Sequence, residues 1–133
     1  MARFIITLVL LIALVTIALW EQDFIGNTYT KLETDLEALS SAMMTQTDDE
    51  IKDPANGNIA KVNQMYDYWT KKEKYLSLVA RHFDLAQISD ALIYVKNFVE
   101  FGNKEEAFAG IQRLRYLIDA HKHNFGTSLP NVV

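Results

Sequence analysis

An uncharged apolar run near the N-terminus constrains this chain more than any other feature. From Phe4 to Trp20 the sequence reads FIITLVLLIALVTIALW, and Arg3 precedes it. Seventeen residues at about 1.5 Å each make a helix of roughly 25 Å, near the lower limit for a bilayer core of about 30 Å. Arg3 can reach the headgroups at one end, and Trp20 can lie in the interface at the other. The run therefore predicts a transmembrane anchor that contacts the lipid bilayer through Phe4 to Trp20.

The charges beside this run predict its orientation. Arg3 and the amino terminus precede it, whereas Glu21 and Asp23 follow it. The positive-inside rule then predicts a single-pass protein of the cell membrane, with the N-terminus in the cytoplasm and the rest outside. A cleaved signal peptide is the alternative, and it would give a secreted protein. The usable small-x-small site is Thr16-Ile17-Ala18.

A buried core helix is a third interpretation of the run, and it is less favoured. A segment that is apolar on every side needs burial all round, which a domain this small cannot supply. We therefore predict two parts, an anchor over residues 1–20 and a helical bundle over residues 21–133.

The part beyond Trp20 is acidic and lacks cysteine. It holds all 17 acidic residues and 12 of the 13 basic ones, so its net charge is 12 − 17 = −5. Nucleic acid is not expected as a partner, because no basic face is available for phosphates. The absence of cysteine removes thiol catalysis, thiolate metal sites and disulfides. Only five Gly and two Pro interrupt the chain, which favours long helices.

Apolar residues at helical spacing predict four helices beyond the anchor. The first continues out of the run, and a loop over residues 45–57 follows it. The second spans Asn58 to Phe83, the third runs from a capping box at Asp84 to Gly102, and the fourth runs from Asn103 to about residues 124–126. The predicted stripes are Ile25, Tyr29, Leu32, Leu36, Leu39 and Met43; Ile59, Val62, Tyr66, Trp69, Leu76, Ala80 and Phe83; Leu85, Ile88, Leu92, Val95 and Val99; and Ala107, Ile111, Leu114, Ile118 and His121.

A weak internal repeat indicates how these helices pair. Gly57-Asn58 and Gly102-Asn103 are 45 residues apart, and the stripes that follow them coincide at that offset. We therefore predict an all-α fold, in which an N-terminal transmembrane helix continues into an antiparallel bundle of two αα-hairpins, four helices in total. The C-terminus would return to the membrane surface.

Four side chains form the one candidate site. His82, His121, Asp84 and Asp119 are predicted at the same end of the bundle, where they could bind a metal or sense pH. Packing, or a charge at a helix C-terminus, is the favoured alternative for each histidine. Nucleophile triads, glycine-rich phosphate loops and helical His-Glu-x-x-His motifs are missing from the sequence. We therefore expect no catalytic activity, no bound cofactor and no dedicated metal site.

Three other features have a functional and a structural interpretation. Trp69 could line a ligand groove, but core packing is favoured. Glu73 interrupts an apolar stripe and could act as an acid or base, but a stripe edge or an ion pair with Arg113 or Arg115 is favoured. The run Lys71, Lys72, Lys74 could meet an acidic partner or lipid headgroups, or it could be a solvated helix face.

The order of several motifs resembles an uncharacterised bacterial family, the domain of unknown function 4363. The similar features are Trp20 at the end of the span, Trp69 thirteen residues before His82, a helix like Ile88 to Val99, the helix start Gly102 to Ala107, the pair Leu117-Ile118, and the tail Asn131-Val132. The resemblance implies a membrane-anchored helical domain and no known activity.

Together these features lead to two hypotheses about function. The first is a membrane-anchored helical interaction or scaffold module that binds another protein or associates with itself. The alternative is a sensor of a small ligand or metal at the membrane surface.

Overall fold

The protein is all-helical in every part that the structure describes. This computed structural model describes the backbone of residues 1–77 and 82–132, and their side chains except those of Gln22, His82, Phe83 and residues 123–132. The helices are α1 (Ala2–Met44), α2 (Asp48–Lys52), α3 (Asn58–Leu76), α4 (His82–Phe101) and α5 (Lys104–Val132), with a 3₁₀ turn at Pro54–Asn56. The predicted fold class is confirmed.

The four long helices form an antiparallel ring. Helix α1 packs on α3 and α5, and α4 packs on the same two helices from the other side. The ring of Tyr29 lies 6.2 Å from that of Trp69, and Lys122 Nζ is 3.0 Å from a Glu33 carboxylate oxygen. The later parts of α3 and α5 thus lie beside the early bundle part of α1, so both helices run antiparallel to it.

The two ends of this bundle differ, and we name them by their position relative to the apolar run. The proximal end, which is nearer to that run, contains Tyr29, Trp69 and His121. The distal end contains Met44 and Lys104, where the Lys104 ammonium donates a hydrogen bond of 2.8 Å to the Met44 carbonyl.

The core is built from the predicted stripes. Burying a large apolar side chain contributes about 1.5–3 kcal/mol, so each stripe contributes to the stability of the ring. Ile59 and Tyr66 lie at the edge of the core. The stripe residues that are buried are Ile25, Tyr29, Leu32, Leu36, Leu39, Met43, Val62, Trp69, Leu76, Leu85, Ile88, Leu92, Val95, Val99, Ala107, Ile111, Leu114, Ile118 and His121.

The apolar run is the first half of α1 and stands clear of the bundle. Its residues are exposed, and its most apolar window of 18 residues is 0% buried in the structure. By length and composition this helix can cross a membrane. Because α1 continues from the run to Met44 as one helix, the same element forms one wall of the bundle.

The prediction that residues 45–57 form a loop is wrong in part, because this acidic segment contains α2 and the 3₁₀ turn. Thr47 begins α2 by accepting a hydrogen bond from the Glu50 amide (3.3 Å), and Asp53 accepts one from the Ala55 amide (3.0 Å). Ile51 is fully buried and belongs to the core. One apolar side chain among four acids gives no periodic signal, so the short helix depends on its caps and on tertiary burial.

Two predicted helix ends are also wrong. Helix α3 ends at Leu76 and α4 begins at His82, so Phe83 and Asp84 lie in the first turn of α4 and Asp84 does not precede it. Neither Gly nor Pro lies between Ser77 and Asp84, so the sequence lacks the usual stop signal. The prediction for Ala80 falls outside the described residues. Helix α5 continues past Gly126 to Val132, since one glycine inside a helix costs only about 1 kcal/mol; the structure offers no account of its continuing through Pro130.

Candidate functional site

Three aromatic side chains from three helices meet at the proximal end of the bundle. The ring of Tyr29 on α1 lies 6.2 Å from Trp69 on α3 and 6.3 Å from His121 on α5. Tyr29 is 2% exposed and His121 is 9% exposed. The stripes of α1, α3 and α5 place these side chains on core-facing positions, so their polar atoms are carried into the interior.

The imidazole of His121 is incompletely paired. Its Nδ1 atom is buried and has no hydrogen-bond partner among the side chains that the structure describes. Burial lowers the pKa of His121, while the negative charge of Asp84 raises it, and burial is the larger effect. The neutral imidazole is therefore favoured inside the bundle.

Tyr29 is affected by the same surroundings. Burial, with a smaller contribution from the Asp84 carboxylate, raises the pKa of the Tyr29 phenol to about 12. Asp84 thus acts electrostatically on both Tyr29 and His121 from the first turn of α4. Such an effect on His121 requires the start of α4 to lie near the later part of α5.

Trp69 is a core residue with a specific polar partner. Its side chain is fully buried, and its indole N–H donates a 2.7 Å hydrogen bond to the Ser89 hydroxyl of α4. A buried indole N–H requires such a partner. Trp69 therefore links α3 to α4, as the packing interpretation predicted, although no sequence pattern indicates its pairing with Ser89.

The structure places Asp119 on a different face of α5 from His121. Asp119 is exposed and lines an open groove between α1 and α5 with Glu33, Glu37 and Arg115. The side chain of His82, like that of His123, lies outside the described part of the chain. Among the described residues no group of three His, Cys, Asp or Glu side chains could hold a metal ion. Of the predicted residues, Asp84 acts electrostatically on His121, and Tyr29, which the sequence did not indicate as a site residue, lies beside His121.

Glu73 and the arginines are arranged differently from the prediction. Arg115 forms an ion pair with Glu37 of α1, while the charge of Arg113 acts on Tyr94 of α4. Glu73 is half-exposed on α3. The proposed ion pair of Glu73 with Arg115 is wrong, because α3 and α5 occupy opposite corners of the ring.

Lys71, Lys72 and Lys74 lie in the last two turns of α3, at the proximal end. Lys71 and Lys74 are exposed and Lys72 is half-buried. The Lys72 ammonium lies 5.2 Å from the centre of the Phe24 ring and 5.6 Å from that of Tyr68. One lysine of the run is therefore held against aromatic rings and is not simply solvated.

The helix start Gly102 to Ala107 has a structural role at the distal end. Asn103 accepts a hydrogen bond from the Glu106 amide (3.1 Å), which confirms it as the cap of α5. The Lys104 ammonium donates bonds of 2.8 Å to the carbonyls of Met44, the last residue of α1, and Gln46, just beyond it. The Glu106 carboxylate accepts a hydrogen bond from the Tyr94 hydroxyl. Asn103, Lys104 and Glu106 thus each stabilise a helix end or a contact between helices.

The two Gly-Asn pairs of the repeat have the same backbone form and different side-chain roles. Gly57 and Gly102 have positive φ angles of 77° and 73°. Asn103 is an exposed helix cap, whereas Asn58 is fully buried and donates to the Gln46 side chain and the Ile51 carbonyl. The repeat therefore describes the backbone of two hairpins but not two equivalent sites.

Comparison with known proteins identifies the family of the chain. No curated protein and no solved structure matches it. The family described as Domain of unknown function (DUF4363) matches residues 19–132, which include the whole bundle and only the last residues of the apolar run. The chain therefore belongs to the DUF4363 family, as the motifs around Trp69 and Gly102 predicted.

Proposed function

We propose that this protein is a membrane-anchored helical module that acts by binding another protein or by self-association. One observation carries the proposal: α1 is a single helix from Ala2 to Met44 whose first half is apolar and exposed, and whose second half is a wall of the bundle. A bundle on such a helix is held at a defined height and rotation relative to a bilayer. That arrangement suits a protein that presents a surface.

The proposal assigns no catalytic activity to the chain. It is supported by the described polar groups, which form contacts that stabilise the fold. The indole of Trp69 pairs with Ser89, and the polar groups of the distal end cap helices.

The anchor and its orientation can be tested by cysteine labelling, because the chain has no native cysteine. We expect Ala60→Cys, which is exposed at the start of α3, to react with a membrane-impermeant maleimide in intact cells. Ala2→Cys should react only after permeabilisation, and both proteins should remain in the membrane pellet at alkaline pH. The opposite labelling pattern would place the bundle in the cytoplasm, and release into the supernatant would refute the anchor.

Partner binding requires a second measurement on the same membranes. Crosslinking of the full-length protein in intact membranes should give one or a few products of constant mass, either a dimer or a complex with one other protein. Repeated absence of such products would count heavily against an interaction role.

A second candidate is a sensor at the membrane surface, and the incompletely paired His121 beside Asp84 and Tyr29 favours it. A ligand that binds the native state must raise the melting temperature by mass action. Thermal melting with and without Zn²⁺ tests the metal form of this hypothesis. An unchanged melting temperature would exclude Zn²⁺ at the concentration used.

A further inference from the structure

A row of aromatic side chains connects the end of the apolar run to the last turn of α3. The rings of Trp20 and Phe24 are stacked at 5.5 Å, and Phe24 meets Tyr75 edge-on at 6.2 Å. The Lys72 ammonium lies 5.2 Å from the Phe24 ring centre. We call Trp20, Phe24, Lys72 and Tyr75 the interfacial edge.

The interfacial edge is exposed at the level where the apolar run ends. Trp20 is 63% exposed and Tyr75 is 61% exposed. Trp20 and Phe24 are one helical turn apart, or about 6 Å along α1. Tyr75, in contact with Phe24, therefore lies within about one turn of the end of the run. Lys71 and Lys74 are exposed beside it.

Aromatic and lysine side chains like these are suited to the surface of a bilayer. Tryptophan and tyrosine are enriched where hydrocarbon meets water, because each ring has an apolar body and a polar group. Lysine buries its aliphatic chain and places its ammonium among the phosphates. Lys72 is already held at this level, since its ammonium lies against the rings of Phe24 and Tyr68.

We propose that the interfacial edge, with Lys71 and Lys74, docks on the phospholipid headgroup layer of the membrane that holds α1. This inference rests on the proposed membrane anchor. The lysine ammonium groups bind lipid phosphates, and the Tyr75 ring lies in the interface beside Trp20. The bundle is then fixed at two points, the span and the end of α3, so that it cannot pivot about α1.

Acidic side chains at the same end limit the strength of this docking. Glu21, Asp23 and Glu73 are close to the edge in sequence and are half-exposed or exposed. A basic residue near an anionic surface contributes about fivefold in binding, or about 1 kcal/mol. Three lysines would give roughly 100-fold without the acids, so we expect a smaller effect, on the order of tenfold, when all three are removed.

The test measures how close each end of α3 lies to the headgroups. Full-length protein with one cysteine, Ser77→Cys at the proximal end or Ala60→Cys at the distal end, carries a fluorophore and is reconstituted in vesicles of three parts phosphatidylcholine to one part phosphatidylglycerol. A nitroxide on the lipid headgroup then quenches nearby fluorophores. The two positions are 17 residues apart in sequence, or about 25 Å along the helix axis. We expect strong quenching at residue 77 and little at residue 60.

Matched variants identify the groups responsible. Lys71→Gln, Lys72→Gln and Lys74→Gln together should lower the ratio of docked to undocked protein at residue 77 about tenfold, and Tyr75→Ser should also lower it. The control removes the same charge elsewhere, with Lys61→Gln, Lys96→Gln and Arg113→Gln, and should leave the quenching unchanged. Equal quenching at residues 77 and 60, or an equal effect of the control variant, would overturn the proposal.

A third label separates failure of docking from failure of the anchor. A fluorophore at Val9→Cys lies within the apolar run and should be quenched by a nitroxide on the lipid acyl chain. If that label is quenched and the residue 77 label is not, docking is wrong and the anchor stands. If neither label is quenched and the protein does not float with the vesicles, the anchor is wrong and the docking inference is refuted with it.

Discussion

The replacement Gly102→Ala tests how the short helix α2 is fixed to the bundle. A Cβ atom at Gly102 would lie 2.6 Å from the Asp48 carbonyl oxygen and 2.8 Å from Lys52 Cδ. The lysine chain can move at little cost, but the carbonyl belongs to the backbone of α2. The helix would therefore have to shift, and the hydrogen bond of 3.2 Å from the Lys104 amide to the Asp48 carboxylate would be strained with it.

The free-energy cost has two parts, and a second glycine isolates one of them. Gly102 has a φ angle of 73°, and an L-residue in that region costs about 1–2 kcal/mol. Displacing α2 adds about 1–3 kcal/mol, the usual cost of an overpacked contact. Gly57 has a φ angle of 77°, and a methyl group added there would meet nothing within 4 Å, so Gly57→Ala should cost only the first part.

The assay is thermal unfolding of the full-length protein in detergent, followed by circular dichroism. For a bundle of this size 1 kcal/mol corresponds to about 4 °C, so Gly102→Ala should melt roughly 4–12 °C below Gly57→Ala. Gly26→Ala is the control for an added methyl group, because Gly26 lies in α1 with open space around it. It should be neutral or stabilising by up to about 1 kcal/mol. Equal melting temperatures for the Gly102 and Gly57 variants would refute the close approach of α2.

Three further perturbations address the ring and the proximal end. Gly110→Ala would place a methyl 2.7 Å from Tyr94 Cδ1. We expect this variant to be destabilised by about 1–2 kcal/mol in thermal melts, and a higher melting temperature would contradict the close packing of α4 and α5. Trp69→Phe and Ser89→Ala each break the 2.7 Å hydrogen bond and should each lower the free energy of unfolding by about 1–3 kcal/mol. A double-mutant cycle should give a coupling energy of at least about 0.5 kcal/mol, and additive effects would show that the bond is not formed. His121→Leu should flatten the pH dependence of stability. Burial places the pKa of His121 below its unfolded value, so the native protein should lose stability as the pH falls below about 6.5. Denaturant titrations at pH 7.5 and pH 5 should show a larger loss of stability for the native protein than for the His121→Leu variant. Equal losses would show that the imidazole is solvated.

The helical faces could be predicted because the sequence encodes them directly. A period near 3.6 residues places each stripe on one face, and burial of that face decides the fold with few alternatives. Spacing alone assigns Tyr29 and Leu114 to the core, and both are buried. The Gly102-Asn103 turn is predictable for a related reason, since a left-handed glycine and an asparagine cap are local requirements.

Features that depend on one isolated residue or on tertiary contacts could not be predicted. Ile51 is a single apolar residue among acids, and its burial depends on how α2 lies across the distal end. The break between Leu76 and His82 contains no glycine or proline. The link between Trp69 and Ser89 joins residues 20 positions apart on different helices. No sequence pattern specifies such a pairing.

Two of the predicted site residues, His121 and Asp119, have different surroundings in the structure. Asp119 and His121 are two residues apart on α5, and such positions point to different helix faces. The structure shows this result, with His121 buried and Asp119 exposed. The spacing of Tyr29 marks only a core position, and its contact with His121 requires the antiparallel packing of α1 and α5.

At the proximal end, the bundle departs from its own apolar pattern at His121. At the offset of the internal repeat, His121 corresponds to Leu76, and both side chains are buried. Leucine at such a position contributes burial without a polar requirement, whereas His121 keeps a buried Nδ1 without a partner among the described side chains. Departures from local rules are concentrated at functional or strained sites. Because Tyr29 lies on the same continuous helix as the proposed anchor and contacts both Trp69 and His121, a rotation of α1 would change these contacts.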